Sequence, residues 1–385
     1  MKILYIHKHM NSIGGMERIL TSKMNYLAEN TPIQISFLTY ESQSSILPFK
    51  LSQKIKYYPI NAPIARRINY SFIKWIKAYF LSRINFRKRM SEMLCFIKPD
   101  IVILNAYSFD ELDIIIDICK KKYIHSILES HVEASTVLMS EKYRYNLFLY
   151  FLVKKWDRFI LRTLHHVDRI VTLTKGDIPF WEKWNNNIIV IPNMLTIHPQ
   201  DFANYSSKRV ISVGRYTYQK GFDMLIEAWE LVHKRNPDWE LYIWGSGDMT
   251  IYYEFVQKYA LENVIHLMPA SLNIAEEYSK SSIYVMSSRH EGFGLVLTEA
   301  MCCGLPCISF DCPFGPSEII NDGVDGLLVE RNNIKQLADK IILLINNYEL
   351  RKKMGLAAMR NVKRFSVDII MKRWIDLFNE LINVD

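Results

Sequence analysis

Two carboxylates separated by seven residues open the functional reading: Glu291 and Glu299, in the segment RHEGFGLVLTE at 289–299. Gly292, Phe293 and Gly294 form a glycine-rich turn after the apolar run 283–287, and Leu295 begins a helical pattern. Such a turn aims backbone N–H groups and the positive end of a helix dipole at a phosphate or a polar sugar. Glu299 falls about one turn into that helix, where a carboxylate suits two vicinal hydroxyls such as those of a ribose. An ordinary βα turn with a capping glutamate has the same signature, so the segment has to be weighed with its neighbours.

The second cluster is VGRYTYQKGF at 213–222, in which Arg215 and Lys220 follow the apolar run 210–213. Two cations at the end of a parallel strand suit a diphosphate; a single solvated Arg or Lys would not. The chain contains no D-x-D pair. Arg215 and Lys220 are therefore expected to neutralise a diphosphate directly, with no metal and no cofactor. Gly14 and Gly15 follow the first apolar run and precede Met16, Glu17 and Arg18. They fit a close backbone approach to a phosphate or an acceptor, and a plain tight turn equally well. The pair is not part of a G-x-x-x-x-G-K-[ST] loop, so triphosphate hydrolysis has no support. His131 lies just after the run 124–129. A lone histidine is often structural, but the end of a parallel strand is where a working one is found.

These residues need a scaffold that brings strand ends together. Short runs rich in β-branched residues at 2–7, 33–39, 100–105, 124–129, 169–174 and 188–192 alternate with helical stretches. A second series follows at 210–213, 241–244, 264–267, 283–287, 307–310 and 326–329, with helices expected over 221–234, 250–260, 274–281 and 295–303. Alternation of this kind predicts parallel α/β sheets. The fold class is therefore α/β, with two Rossmann-like domains facing across a cleft. The expected divisions are 1–195 for the acceptor, a polar linker at 196–208, 209–365 for the nucleotide sugar, and a helix at 366–385 packing back on the first domain.

Taken together, E-x7-E at Glu291/Glu299, G-R-x4-K at 214–220, GG-x-E at 14–17 and A-M-x-x-G-x-P at 300–306 resemble glycosyltransferase family 4. The stretch PFGPSEIINDGVDG at 313–326 and Ile191-Pro192-Asn193 are similar to that family as well. The resemblance spans nearly the whole chain and is densest over 209–330. It implies a GT-B fold and a retaining transfer from a nucleotide-diphosphate sugar, most commonly a UDP sugar. It further implies that Glu299 holds the ribose and Glu291 the transferred sugar, while Arg215 and Lys220 bind the diphosphate and stabilise it as it leaves. His131 would lie beside the reactive centre, and the backbone of Phe293–Leu295 would meet sugar hydroxyls and phosphate. Donor contacts are expected from Gly14, Gly15, Arg215, Lys220, Glu291, Gly292, Phe293, Gly294, Leu295 and Glu299; His131, Glu291, Arg215 and Lys220 are the candidate catalytic residues. The Cys312–Pro316 stretch resembles members acting on hexoses or N-acetylhexosamines in surface-polysaccharide assembly.

Net charge is +8 over 385 residues, but residues 1–200 hold 28 Lys+Arg against 16 Asp+Glu. That half alone carries +12, which leaves −4 for the rest. Nine of the cations fall in 66–98 (Arg66, Arg67, Lys74, Lys77, Arg83, Arg87, Lys88, Arg89 and Lys98) against one acid, Glu92. Tyr70, Phe72, Trp75, Tyr79, Phe80 and Phe86 are interleaved, and 142–169 repeats the mixture with Tyr143, Tyr145, Phe148, Tyr150, Trp156 and Phe159. A basic, aromatic surface suits an anionic membrane interface and a lipid-linked or saccharide acceptor; a core-facing helix with a solvated basic face has the same composition. No recognition motif accompanies the charge, so no nucleic-acid partner is expected. The N-terminus is too short in apolar residues for a signal peptide, and no apolar run spans a bilayer. The expectation is a cytoplasmic protein, peripheral on the membrane face, with six reduced cysteines. A nucleotide-sugar epimerase or hydrolase, or a silent sugar- or lipid-binding protein, would share these features.

Overall fold

The computed structural model describes all residues except 11–13, 42–46, 66–71, 106–110, 132–146, 272 and 384–385. The chain divides into two compact units, Met1–Pro192 with Met371–Asp385, and Asn193–Ile370.

In the first unit the order is β1 (Lys2–His7), α1 (Gly15–Asn30), β2 (Gln34–Thr39), β3 (Lys56–Pro59), α2 (Phe72–Ile97), β4 (Ile101–Asn105), α3 (Leu112–Lys121), β5 (His125–Glu129), α4 (Leu147–Thr163), β6 (Arg169–Thr172), α5 (Ile178–Trp181) and β7 (Ile188–Val190). Among the described residues these strands form one parallel sheet in the order β3-β2-β1-β4-β5-β6-β7. Both faces are covered, which is why β1 (KILYIH) and β4 (IVILN) read as unbroken apolar runs and are buried almost throughout. From β1 and β4 the strand order runs outward in opposite directions, the reversal at whose carboxyl ends an open parallel sheet binds its ligand. On α2, Phe86, Met90 and Leu94 recur every four residues, forming the stripe that joins Leu112, Ile115 and Leu161 in the core.

The second unit comprises β8 (Arg209–Val213), α6 (Phe222–Arg235), β9 (Glu240–Gly245), α7 (Thr250–Lys258), β10 (Ile265–Pro269), α8 (Ile274–Ser279), β11 (Ile283–Met286), α9 (Leu295–Cys302), β12 (Cys307–Phe310), α10 (Pro316–Ile319), β13 (Gly326–Val329), α11 (Ile334–Asn346) and α12 (Tyr348–Asn361). Its sheet is also parallel, in the order β10-β9-β8-β11-β12-β13, with the reversal between β8 and β11. Phe222, Leu225, Ile226, Trp229 and Val232 of α6 meet Leu337, Ile341 and Leu344 of α11 in its core. The buried Arg351 guanidinium donates to the carbonyls of Leu344, at 2.5 Å, and Ile345, at 3.0 Å, which the end of α11 leaves without helical partners. A last helix, α13 (Val367–Ile382), starts in the second unit and continues into the first.

The strands and helices read from the sequence are present, with ends shifted by a residue or two. The stretch 196–208 behaves differently from a free linker. Ala203 N–H donates to Cys303 O at 2.8 Å, and Asn204 N–H to Ser279 O at 3.0 Å. Tyr205 Oη donates to Gly304 O at 2.8 Å, while its own carbonyl accepts from Arg351. The polar composition is there, but it is spent on stitching this stretch to the second unit.

Candidate active site

The β8/β11 reversal is where the candidate residues of the second unit meet. After β8, a single 3-10 turn at Tyr218–Lys220 leads into Gly221, which caps α6. Gly221 has φ +63°, and a Cβ there would lie 2.1 Å from the Ser287 carbonyl oxygen. Only glycine lets the two loops approach so closely. The loops are then laced together. Arg289 N–H donates to Gln219 O at 2.8 Å, Gln219 Nε2 to His290 O at 3.0 Å, and Ser287 Oγ to Lys220 O at 2.9 Å.

Within this lacing, Lys220 Nζ donates to Glu291 Oε1 at 2.6 Å, and Ser288 Oγ donates to the same oxygen at 2.6 Å. Glu291 Oε2 carries no hydrogen bond among the described residues. A carboxylate with one oxygen clamped and one free can accept from a sugar hydroxyl in a fixed direction. Glu291 is 7% exposed and Glu299, on α9, is 3% exposed. Gly294 begins α9 at φ +99°, which aims the first N–H groups of the helix from a turn that other residues rarely adopt. Phe293 is buried against Phe365, edge to face, with ring centroids 5.5 Å apart, and anchors the Gly292–Gly294 turn.

The two cations expected to act alike are in different situations. Lys220 is committed to Glu291, whereas the Arg215 side chain is exposed and makes no ion pair among the described residues. Of the two, only Arg215 therefore offers an uncommitted charge, while any anion at Lys220 competes with Glu291. Arg289 is held by a bidentate pair to Asp223 (2.8 and 2.5 Å) and lies over the Tyr218 ring at 3.8 Å. It braces the loop and is not a free cation. Burial pushes the Cys312 thiol up to about 12, so the thiol beside Glu291 and Lys220 is no nucleophile. All six cysteines are free thiols.

In the first unit, Gly14 caps α1 in an extended conformation, φ −105°, that any residue adopts. Gly15 is the first helical residue, and Glu17 in the same turn is buried. His131 is reached two residues past β5, with its ring buried and Nε2 3.3 Å from Glu129 Oε1. Glu129 Oε2 pairs with Lys23 of α1, which is itself buried. Burial alone would raise the Glu129 carboxyl, but Lys23 and His131 outweigh it and bring it down to about 2. Burial, with His131, His9 and Lys8 nearby, lowers His7 to about 3, so His7 is neutral at ordinary pH.

Sequence reading missed Glu129, Lys23, Asp223 and Ser288. Lys23 had a signal: it shares the buried face of α1 with Ile19, Leu20, Met24 and Leu27, where a lysine marks a buried charge. Ser288 and Asp223 look like ordinary loop and first-turn residues, and only the Gly221 approach gives them partners.

The basic surface is narrower than its composition suggested. Arg66, Arg67, Tyr70, Tyr143 and Tyr145 lie outside the described residues, as do the side chains of Phe72 and Phe148. Arg83 is largely buried, 2.5 Å from Asp113, and Arg87 lies 2.5 Å from Asp117. Phe86 is core, and Tyr79 packs against Trp156. The helical period divides the aromatics and cations between core and solvent. What remains exposed on one face of α2 is Lys77, Phe80, Leu81, Ile84 and Lys88. On α4 it is Phe151, Lys155, Arg158, Phe159 and Arg162. Among the described residues no helix is long and apolar enough to cross a membrane.

Residues 195–360 match the family model for glycosyl transferases group 1. Over 381 residues the chain is 29% identical to an uncharacterized glycosyltransferase of Haemophilus influenzae, covering 97% of this chain and 98% of that one. It is 34% identical over 222 residues to the amylovoran biosynthesis glycosyltransferase AmsD of Erwinia amylovora, covering 55% of this chain and 62% of AmsD. The chain thus spans nearly all of the first relative and under two thirds of the second. Its fold is that of an S. aureus TarM variant solved with fondaparinux, α-GlcNAc-glycerol and UDP, with a TM-score of 0.75, 18% identity, and coverage of 98% of this chain and 99% of that one.

Proposed function

We propose that this chain is a retaining glycosyltransferase of family 4, moving a hexose or N-acetylhexosamine from a UDP sugar to a saccharide or lipid-linked acceptor in surface-polysaccharide assembly. The observation that carries the reading is the Lys220–Glu291 pair at the β8/β11 reversal, where an open parallel sheet binds its ligand. The match over 195–360 and the polysaccharide relative support it.

In this reading the second unit binds the donor. Glu299 takes the ribose hydroxyls and Glu291 Oε2 a hydroxyl of the transferred sugar. The exposed Arg215 and the Lys220 ammonium take the diphosphate, and the Gly292–Leu295 backbone lines the same ligand. As the bond from the anomeric carbon to the diphosphate oxygen breaks, negative charge grows on that oxygen and the two cations stabilise it. The acceptor hydroxyl attacks the same face, its oxygen bonds to the anomeric carbon, and its proton passes to the departing phosphate oxygen. Neither a metal nor a further cofactor takes part. The first unit, which carries Gly14, Gly15 and His131, receives the acceptor.

The exposed faces of α2 and α4 support a peripheral position on an anionic membrane, with the cations around apolar side chains. The test of the donor assignment is calorimetry with UDP, UDP-glucose, UDP-galactose and UDP-GlcNAc. At least one should bind, and binding should weaken in Glu299→Gln. No affinity for any of them would remove the reading.

A further inference from the structure

The most unusual charge arrangement in the first unit is a buried lysine. Lys23 Nζ lies 3.9 Å from the centroid of Trp374, on α13, and 5.4 Å from that of Tyr5, on β1. Lys23 and Trp374 are each 2% exposed. The lysine's ionic partner is Glu129 Oε2. A buried ammonium held under two aromatic faces and against a carboxylate is costly to bring out of water. Its presence calls for a function beyond stability, and the other oxygen of that carboxylate lies 3.3 Å from His131 Nε2, a buried nitrogen that makes no aligned hydrogen bond among the described residues. Glu129 is the last residue of β5 and His131 follows it by two residues, and their side chains lie next to each other.

We propose that Glu129 is the positioning residue of His131, fixing its ring with the proton on Nε2, and that Lys23 under Trp374 holds Glu129 for that task. A neutral imidazole has one donor and one acceptor nitrogen. In the neutral ring, a proton held on Nε2 by the facing Glu129 carboxylate leaves Nδ1 as the acceptor, ready to take a hydrogen bond from a hydroxyl of a bound sugar. Lys23 keeps the carboxylate charged and occupies its second oxygen, so that Glu129 cannot turn away from the ring. Trp374 closes the lysine off from water, which gives the C-terminal helix a part in the site. The inference rests on the reading of His131 as a residue of the transfer reaction, and its test separates the two.

The measurement is the ring 15N spectrum of His131, assigned by comparison with H131A, in wild type, E129Q and the charge-neutral double variant K23M/E129Q. Wild type should show the Nε2–H tautomer, and E129Q a shift toward the other tautomer. The double variant guards against misfolding, since it removes both buried charges together. It should keep the wild-type melting temperature within a few degrees while its His131 signals follow E129Q. An unchanged His131 spectrum in both variants would overturn the proposal whether or not the protein transfers sugar. With a transferring donor in hand, E129Q should lower kcat by about tenfold or more, with UDP-sugar affinity within about twofold of wild type. E129D should recover part of the loss. In an H131A background, E129Q should change kcat by less than about twofold. A similar loss from E129Q with and without His131 would mean that Glu129 acts on the fold, not on the ring. Absence of transfer by wild type would count against the enzyme reading alone, and the 15N comparison would still decide the pairing.

Discussion

Lys220 Nζ lies 2.6 Å from Glu291 Oε1, across 71 positions of sequence. Each residue follows the carboxyl end of a strand, and the two strands, β8 and β11, are neighbours at the sheet reversal. The pair therefore stands where a diphosphate and the sugar attached to it would both be within reach of one unit. Replacing Lys220 or Arg215 by Ala should lower kcat/KM by at least about tenfold, roughly 1.4 kcal/mol of transition-state stabilisation. Lys220→Ala should also affect the sugar end, because it releases Glu291. Near-wild-type kcat/KM in both variants would remove them from the site.

Asp223 and Arg289 tie the start of α6 to the loop carrying Glu291. Asp223→Asn keeps the size and removes the charge. It should weaken this bidentate pair by about 1–3 kcal/mol, read as a lower melting temperature. It should also reduce kcat more than it weakens UDP binding, because the loop that holds Glu291 loses its brace. An unchanged melting temperature would show that the pair does not support the loop.

How much of this was legible beforehand divides along physical lines. The parallel sheets were legible because β1, β4 and β12 are short apolar runs between helical patterns. Glu291, Glu299, Arg215 and Lys220 stand out in the sequence because they follow such runs, and the structure sets Lys220 against Glu291. The pairing of Lys220 with Glu291 was not legible, because it depends on the Ser287 carbonyl packing into the space that a Cβ at position 221 would fill. Nor was the split between Arg83, packed against Asp113, and Lys88, in solvent, since composition is blind to helical phase.

Acid should destabilise the first unit by a defined route. The unfolded chain protonates His7 near pH 6.5, whereas burial keeps it neutral in the fold down to about 3. Glu129 takes up its proton near 4.5 unfolded and at about 2 folded. In both windows the unfolded state binds more protons, so stability is lost as pH falls and regained as it rises. Thermal unfolding followed from about pH 7 to about pH 4 should show a falling melting temperature, with a shallower slope in His7→Asn. Equal slopes in the two proteins would contradict the His7 assignment.

In the proposed mechanism Arg215 and Lys220 neutralise the diphosphate in place of a divalent ion, so transfer should survive EDTA. Loss of activity with EDTA and its recovery with Mn²⁺ or Mg²⁺ would contradict that.

Membrane attachment should depend on the exposed face of α2 and not on its paired arginines. Vesicles containing acidic lipid should retain the protein more than neutral ones, and added salt should weaken retention. Each exposed cation contributes about 1 kcal/mol near an anionic surface. Replacing Phe80, Leu81 and Ile84 with Ser, or Lys77 and Lys88 with Ser, should release it while UDP-sugar affinity stays unchanged. Arg83→Ser should instead lower stability, through its partner Asp113. Equal retention on acidic and neutral vesicles would make this face an ordinary solvated surface.

The most direct test of the central claim is the anomeric configuration of a product. The protein should be incubated with the UDP sugar that calorimetry selects and a saccharide acceptor, and the anomeric proton coupling of the new glycoside read by NMR. A retaining transferase gives a product with the donor's own configuration, and Glu291→Gln should slow its appearance by about tenfold or more. A product of inverted configuration, or a converted donor with no glycoside formed, would contradict the account.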